Sequence, residues 1–348
     1  MTETVSTSHD SAMAREAAES AAAVRRQIDR GAPLFRELGR DLRRLRPRVV
    51  VTCARGSSDH AAAYGKYLIE TRLGVPVASM GPSVASLYKT PLRLEGGLFV
   101  AISQSGRSPD LLRLAEAAKA GGAHVVSLVN DEESPLARLA HLLVPLCAGP
   151  EQSVAATKSF LTSAFGFLQL VAHWGDDPRL LATAAAAPEA LAAAARLDWA
   201  PALLRLKDAG DLYVIGRGLG IGAACELALK LKETCRLHAE PFSAAEVVHG
   251  PLELVGPGFP AIVLTQDDET AEASAAVVKR LAALGAEVFS TDPAAVGPII
   301  LPVVPNLPPE LAPLAAVQSF YMAVPALARA RGRDPDAPAN LLKVTETV

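Results

Sequence analysis

Residues 49–68 read VVVTCARGSSDHAAAYGKYL, and residues 212–231 read LYVIGRGLGIGAACELALKL. Each stretch opens on a short run rich in β-branched residues, passes a glycine-containing turn and continues into Ala- and Leu-rich sequence, which is a strand, a turn and a helix. The same alternation runs through the whole chain and marks a parallel sheet covered by crossover helices. The predicted class is α/β.

Strands are predicted at Val49–Thr52, Leu98–Ile102, Val125–Val129 and Leu142–Leu146, and again at Leu212–Ile215, Ala261–Leu264, Val288–Ser290 and Ile299–Val304. Val49 and Leu98 are 49 residues apart, as are Leu212 and Ala261; Leu98 to His124 and Ala261 to Glu287 both span 26. A spacing kept over two successive steps predicts an internal duplication. The expected organisation is an N-terminal helical arm (1–45, with its helix over 11–45), a first domain (46–195), a second domain (200–333) and a proline-containing tail (334–348). The Ala-rich segment 180–200 reads as a helix joining the domains, because Ala and Leu are strong helix formers.

At 348 residues the chain is long enough for two domains with real cores. Half the residues are apolar, a fifth are charged and the net charge is −3, which advertises no surface for nucleic acid. The densest basic run, Arg40–Arg48, reads as the polar face of a helix. No apolar stretch approaches a membrane span, and the four scattered cysteines match no metal or disulfide pattern, so reduced thiols and a cytoplasmic setting are expected.

Ser103-Gln104-Ser105-Gly106-Arg107-Ser108 follows a buried-type strand and precedes a helix starting near Asp110. Hydroxyls and free backbone N–H groups at a helix N-terminus make an anion cradle that needs neither lysine nor metal. Gly56-Ser57-Ser58, after the first strand, is predicted to open at the same edge of the sheet. The Gly216-Arg217-Gly218-Leu219-Gly220 turn is not a dinucleotide fingerprint, since Ile221 replaces the third glycine. No phosphate-loop, HExxH or paired CxxC motif occurs, so a mechanism without metal or cofactor is expected. The segment 229–240 (LKLKETCRLHAE) sets ionisable groups into what reads as an apolar helix, and AEVVHGPL (245–252) follows.

These motifs, KLKET, HAEPF and HGPLELV with SQSGRS, VAATKSF and NLLKVTETV, resemble the isomerase part of glucosamine-6-phosphate synthase, a pair of sugar isomerase (SIS) domains. The resemblance runs from about Val49 to Val348. It implies two tandem doubly wound, flavodoxin-like domains, with the tail contributing to the active site. It implies Glu233 as the base moving a proton between sugar C1 and C2, His249 as the ring-opening group, donated across a homodimer, and Lys343 as the amine that attacks C2. It places phosphate contacts at Ser58, Ser103, Gln104, Ser105 and Ser108, which the Gly56-Ser57-Ser58 turn extends to Ser57, and sugar contacts at Val154 and Thr157. The family usually has serine at Ala156 and lysine at Val248.

The synthase also carries a glutaminase domain, whereas here the first strand is reached within fifty residues. Glutamine hydrolysis is therefore expected to be absent, and the expected activity is that of an SIS-type glucosamine-6-phosphate deaminase without cofactor. The alternatives are a related isomerase, aminotransferase-like enzyme or deglycase acting on another sugar phosphate, or a non-catalytic sugar-phosphate sensor.

Overall fold

Strand pairing explains the repeat. The computed structural model describes residues 11–343; the first ten residues of the predicted arm and the last five of the predicted tail lie outside the described residues. Each half of the chain builds a five-stranded, all-parallel sheet. The first joins β1 (Val50–Cys53), β2 (Val77–Ser79), β3 (Leu98–Ser103), β4 (His124–Val129) and β5 (Leu142–Pro145) in the order β2-β1-β3-β4-β5. The second joins β6 (Asp211–Gly216), β7 (His238–Ser243), β8 (Pro260–Val263), β9 (Glu287–Ser290) and β10 (Ile299–Ile300) in the same doubly wound order, β7-β6-β8-β9-β10. Val50 pairs with Leu98 and Tyr213 with Ala261 at one and the same offset, and the step to β4 or β9 is one residue longer in the second half.

Two strands correct the sequence reading. β2 has three residues, two of them exposed, and β7 reads HAEPFS, so neither carries the apolar run that announces a strand. Both are edge strands, where polar residues and a proline are tolerated. The predicted helix over 229–240 ends at Cys235, where Arg236 adopts a left-handed conformation (φ +49°), and His238 opens β7. Residues 301–304, predicted as strand, leave the sheet after Ile300, and Pro302 has no N–H for the ladder.

The chain divides into two compact units. The first holds Ala22–Pro150 and Lys158–Ala187; the second holds Glu151–Thr157, Pro188–Lys343 and the described residues up to Ala21. In the first, β3 is buried along its whole length, and Val51, Phe99 and Val125 pack with Leu111, Leu114 and Ala118 of α5 (Pro109–Ala120). Its other helices are α3 (Ser57–Leu73), α4 (Ser83–Ser86), α6 (Pro135–Leu139), α7 (Lys158–Gly175) and most of α2 (Ser20–Leu45) and α8 (Pro178–Ala194). The second unit contains α1 (Ala12–Ala18), α9 (Ala200–Leu203), α10 (Gly220–Cys235), α11 (Ala271–Ala283) and α12 (Ala312–Ala330), with Tyr213, Ile215, Val263, Val277 and Leu281 in its core. Among the described residues no helix is long and apolar enough to cross a membrane.

α3 and α7 pack closely because Gly65 has no side chain: a Cβ there would run into the buried Phe167 ring. Gly65→Ala is expected to lower stability by about 1–3 kcal/mol through overpacking, read as a lower urea midpoint at unchanged slope.

Candidate functional site

Two features carry chemistry, one in each unit. In the first unit the Ser103–Ser108 loop leaves β3 and enters α5, whose N-cap is Ser108. The Ser103 hydroxyl accepts from Gly106 N at 3.0 Å, and Ser105 Oγ accepts from Arg107 N at 3.4 Å. The loop's outer side is fixed by Arg107, whose Nη2 lies 2.6 Å from Asp131 Oδ2, and by the Gln104 carbonyl, which accepts from Asn130 N and Asp131 N. Gly106 sits at φ +64° against Ser134, so any larger residue would be both strained and crowded. Ser108 makes no cap hydrogen bond with its side chain, which leaves its hydroxyl available at the positive end of a helix. Ser57 and Ser58 open α3 beside β1. Below them the Cys53 thiol is pushed up to about 12 by burial, with Asp110 adding to the effect, and stays protonated at neutral pH.

The second repeat has lost this cradle. Matched at the helix N-caps Ser108 and Thr270, Ser103-Gln104-Ser105-Gly106 falls on Thr265-Gln266-Asp267-Asp268. Three acids, Asp267, Asp268 and Glu269, replace Ser105, Gly106 and Arg107, and they oppose any anion at that edge.

In the second unit α10 buries a lysine. Lys230 and Glu226 are almost completely enclosed, while Glu233 is 21 % exposed. The Lys230 Nζ lies 2.5 Å from Glu233 Oε2 and 3.4 Å from Glu226 Oε1. The Tyr321 hydroxyl of α12 donates to Glu226 Oε1 at 2.6 Å. Burial alone would lower the Lys230 pKa, but Glu226 and Glu233 outweigh it and hold the ammonium above its ordinary value. Its contribution to stability is therefore whole below the usual lysine range and is lost only as the pH rises through the raised value. Burial and the neighbouring carboxylates of Glu226, Glu151 and Glu233 push the Tyr321 phenol well above its usual range, so it remains a donor.

The tail and the arm meet at the loop Glu151–Thr157. Lys343 Nζ donates to the Ser153 carbonyl at 2.6 Å and stands 3.6 Å from Glu151 Oε2. Glu151 Oε1 accepts from Thr157 N at 2.9 Å. Glu16 of α1 accepts from Gln152 N and Ser153 N, and Asp336 of the tail accepts from Ala12 N and Met13 N at the start of α1. Val154 follows Ser153, whose own buried hydroxyl has no hydrogen-bond partner. Because Tyr321 feels Glu151 as well as Glu226 and Glu233, the Lys343 and Lys230 ion pairs lie within electrostatic reach of one phenol.

The family model described as SIS domain matches residues 46–172 and 205–328. The chain belongs to the SIS domain family. Glutamine–fructose-6-phosphate aminotransferase (isomerizing) from Pyrococcus horikoshii is 32 % identical over 306 residues, 85 % of this chain and 51 % of that protein. The enzyme of the same name from Aeropyrum pernix is 36 % identical over 311 residues, covering 83 % and 49 %. The chain thus spans about half the length of the curated relatives it matches. A candidate phosphosugar isomerase from Silicibacter pomeroyi DSS-3 has a solved structure that matches with a TM-score of 0.90 and 44 % identity, covering 94 % of this chain and 100 % of that one. A glucosamine-6-phosphate deaminase from Thermotoga maritima matches at a TM-score of 0.78 and 21 % identity, covering 97 % and 100 %, a likeness of fold.

Within this SIS pair the structure brings Glu233, Lys343, Val154 and Thr157 into one unit and the serines into the other. His249 ends a single turn (Glu246–His249) and is exposed; among the described residues no hydrogen bond or ion pair joins it to Glu233. Glu226, Lys230, Tyr321, Glu151, Glu16 and Asp336 were not singled out from the sequence. The spacing of Glu226, Lys230 and Glu233 at four and three residues puts them on one helix face, and charges on an otherwise apolar face were the available signal. No group of three or more His, Cys, Asp or Glu among the described residues is placed to hold a metal ion. Lys230→Met is expected to cost about 3–5 kcal/mol in chemical denaturation, because it leaves buried carboxylates uncompensated.

Proposed function

We propose that this SIS protein is an amino sugar phosphate isomerase that deaminates glucosamine 6-phosphate to fructose 6-phosphate and ammonia. The carrying observation is Glu233: a carboxylate at the edge of a buried charge cluster, partly open, and held by the buried Lys230 ammonium. Held this way, Glu233 is the base that removes the proton from C2 of the opened sugar and returns it to C1, giving an enolamine and then an imine at C2. Water adds to that imine, the C–N bond breaks and ammonia leaves. The overall reaction consumes one water and needs no other co-reactant, whereas the reverse requires a source of ammonia.

In this reading the Ser103–Ser108 loop, with Ser57 and Ser58, takes the phosphate, Val154 and Thr157 contact the sugar, and Lys343 acts at C2. The names of the isomerizing relatives and the serine cradle support a phosphosugar substrate. We further propose that His249, exposed in the single chain beside the exposed Leu254, opens the sugar ring in a partner subunit of a homodimer.

Incubation with glucosamine 6-phosphate is expected to release ammonia and fructose 6-phosphate in equal amounts; no turnover of this or other amino sugar phosphates overturns the reading. Glu233→Gln should lower kcat by roughly 100- to 10,000-fold while the fold stays intact. Mixing separately inactive Glu233→Gln and His249→Ala chains should restore up to about a quarter of the activity if the site is shared across a two-fold dimer, and none if each chain uses its own histidine.

A further inference from the structure

The serine loop is an anion cradle with an acid built into it. Asp110 stands in the first turn of α5, two residues beyond Ser108, and is 1 % exposed. A carboxylate at a helix N-terminus is favourable on its own. A second anion arriving at the same turn, however, meets a like charge at short range in a poorly solvated place. Asp59, in the first turn of α3, is a further acid at this edge; burial pushes its carboxyl up, while His60 and Arg55 pull it the other way.

Arg55 answers both acids. It follows β1, whose Cys53 pairs with Ala101 of β3, so Arg55 and the Ser103 loop leave the same edge of the sheet from neighbouring strands. Its Nε and Nη2 donate to Asp110 Oδ2 at 3.2 and 2.8 Å, and the other Asp110 oxygen accepts from Leu111 N. The Arg55 side chain remains 55 % exposed. A guanidinium has five N–H donors in a fixed fork, so contacts with one carboxylate oxygen leave others facing outward. In the second repeat the matching turns and helix N-caps put Arg217 and Glu272 at these two positions, beside the loop where acids replace Ser105 and Gly106, and among the described residues no ion pair joins them. The ion pair therefore accompanies the serine cradle and is absent where the cradle is absent.

We infer that Arg55 is a positioning residue that neutralises Asp110, and that the Ser103–Ser108 loop accepts the phosphate dianion of a sugar only because of it. This rests on the phosphosugar reading above. Arg55 acts through Asp110: the guanidinium cancels the charge that would otherwise repel the ligand. Removing Arg55 alone should therefore weaken ligand affinity more than removing both partners, whereas a merely structural ion pair shows that pattern in stability and not in affinity.

The test is equilibrium binding of fructose 6-phosphate to the full chain by titration calorimetry. Arg55→Ala should weaken binding by about 10- to 100-fold. Asp110→Asn alone and Arg55→Ala with Asp110→Asn should both bind within about threefold of the unaltered protein, as should Arg55→Lys. Arg55→Ala binding within about twofold of the unaltered protein overturns the inference, as does a double variant as weak as Arg55→Ala. Should Arg55→Ala fail to fold, the double variant against Asp110→Asn decides: equal affinity supports the inference and weaker binding overturns it. Failure of the unaltered protein to bind fructose 6-phosphate overturns this inference and the phosphosugar reading together. Binding without turnover of glucosamine 6-phosphate overturns only the proposed activity.

Discussion

The ammonium of Lys230, enclosed between Glu226 and Glu233, is the constraint on which the chemistry of this protein depends. A lone lysine so buried would give up its proton, and two carboxylates without it would take one up. Together they hold charge in a place where charge is expensive. The cost is met by geometry: α10 presents all three groups on one face, and α12 delivers the Tyr321 hydroxyl to Glu226. Of the three, Glu233 alone is partly open.

The two repeats keep the same strand order and have diverged in what their edges carry. One carries hydroxyls and a glycine at the start of α5 and suits an anion. The other has Gln266, Asp267, Asp268 and Glu269 at the equivalent turn and invests its chemistry in α10 instead. Arm, loop and tail belong to that second repeat: Glu16 holds the loop's backbone, Asp336 caps α1, and Glu151 pairs with Lys343. Segments distant in sequence thus converge on the residues flanking Val154.

Much of this was readable from the chain alone. The alternation of apolar runs and helical stretches disclosed the α/β class, and the repeated spacing disclosed the duplication, because buried parallel strands must be apolar and crossovers must have a minimum length. The two edge strands were not readable, since β2 is short and half exposed and β7 carries polar residues and Pro241. The duplication itself contained the missing information: Val50 pairs with Val77 and Tyr213 with Glu240 at one offset, so either strand implies the other. Lys230 was visible as a letter but not as a buried ion, for burial is decided by α12, which lies far along the sequence. The grips of Glu16 and Asp336 on distant backbone leave no local signature at all.

The proposed reaction depends on one base, partly shielded from water, carrying a proton from C2 to C1. Glucosamine 6-phosphate bearing deuterium at C2 tests this most directly, with the fructose 6-phosphate product analysed by NMR. Deuterium found at C1 of the product in part of the molecules is the result predicted for transfer by Glu233. Product formed with all of the deuterium lost to solvent, or none formed, would contradict it.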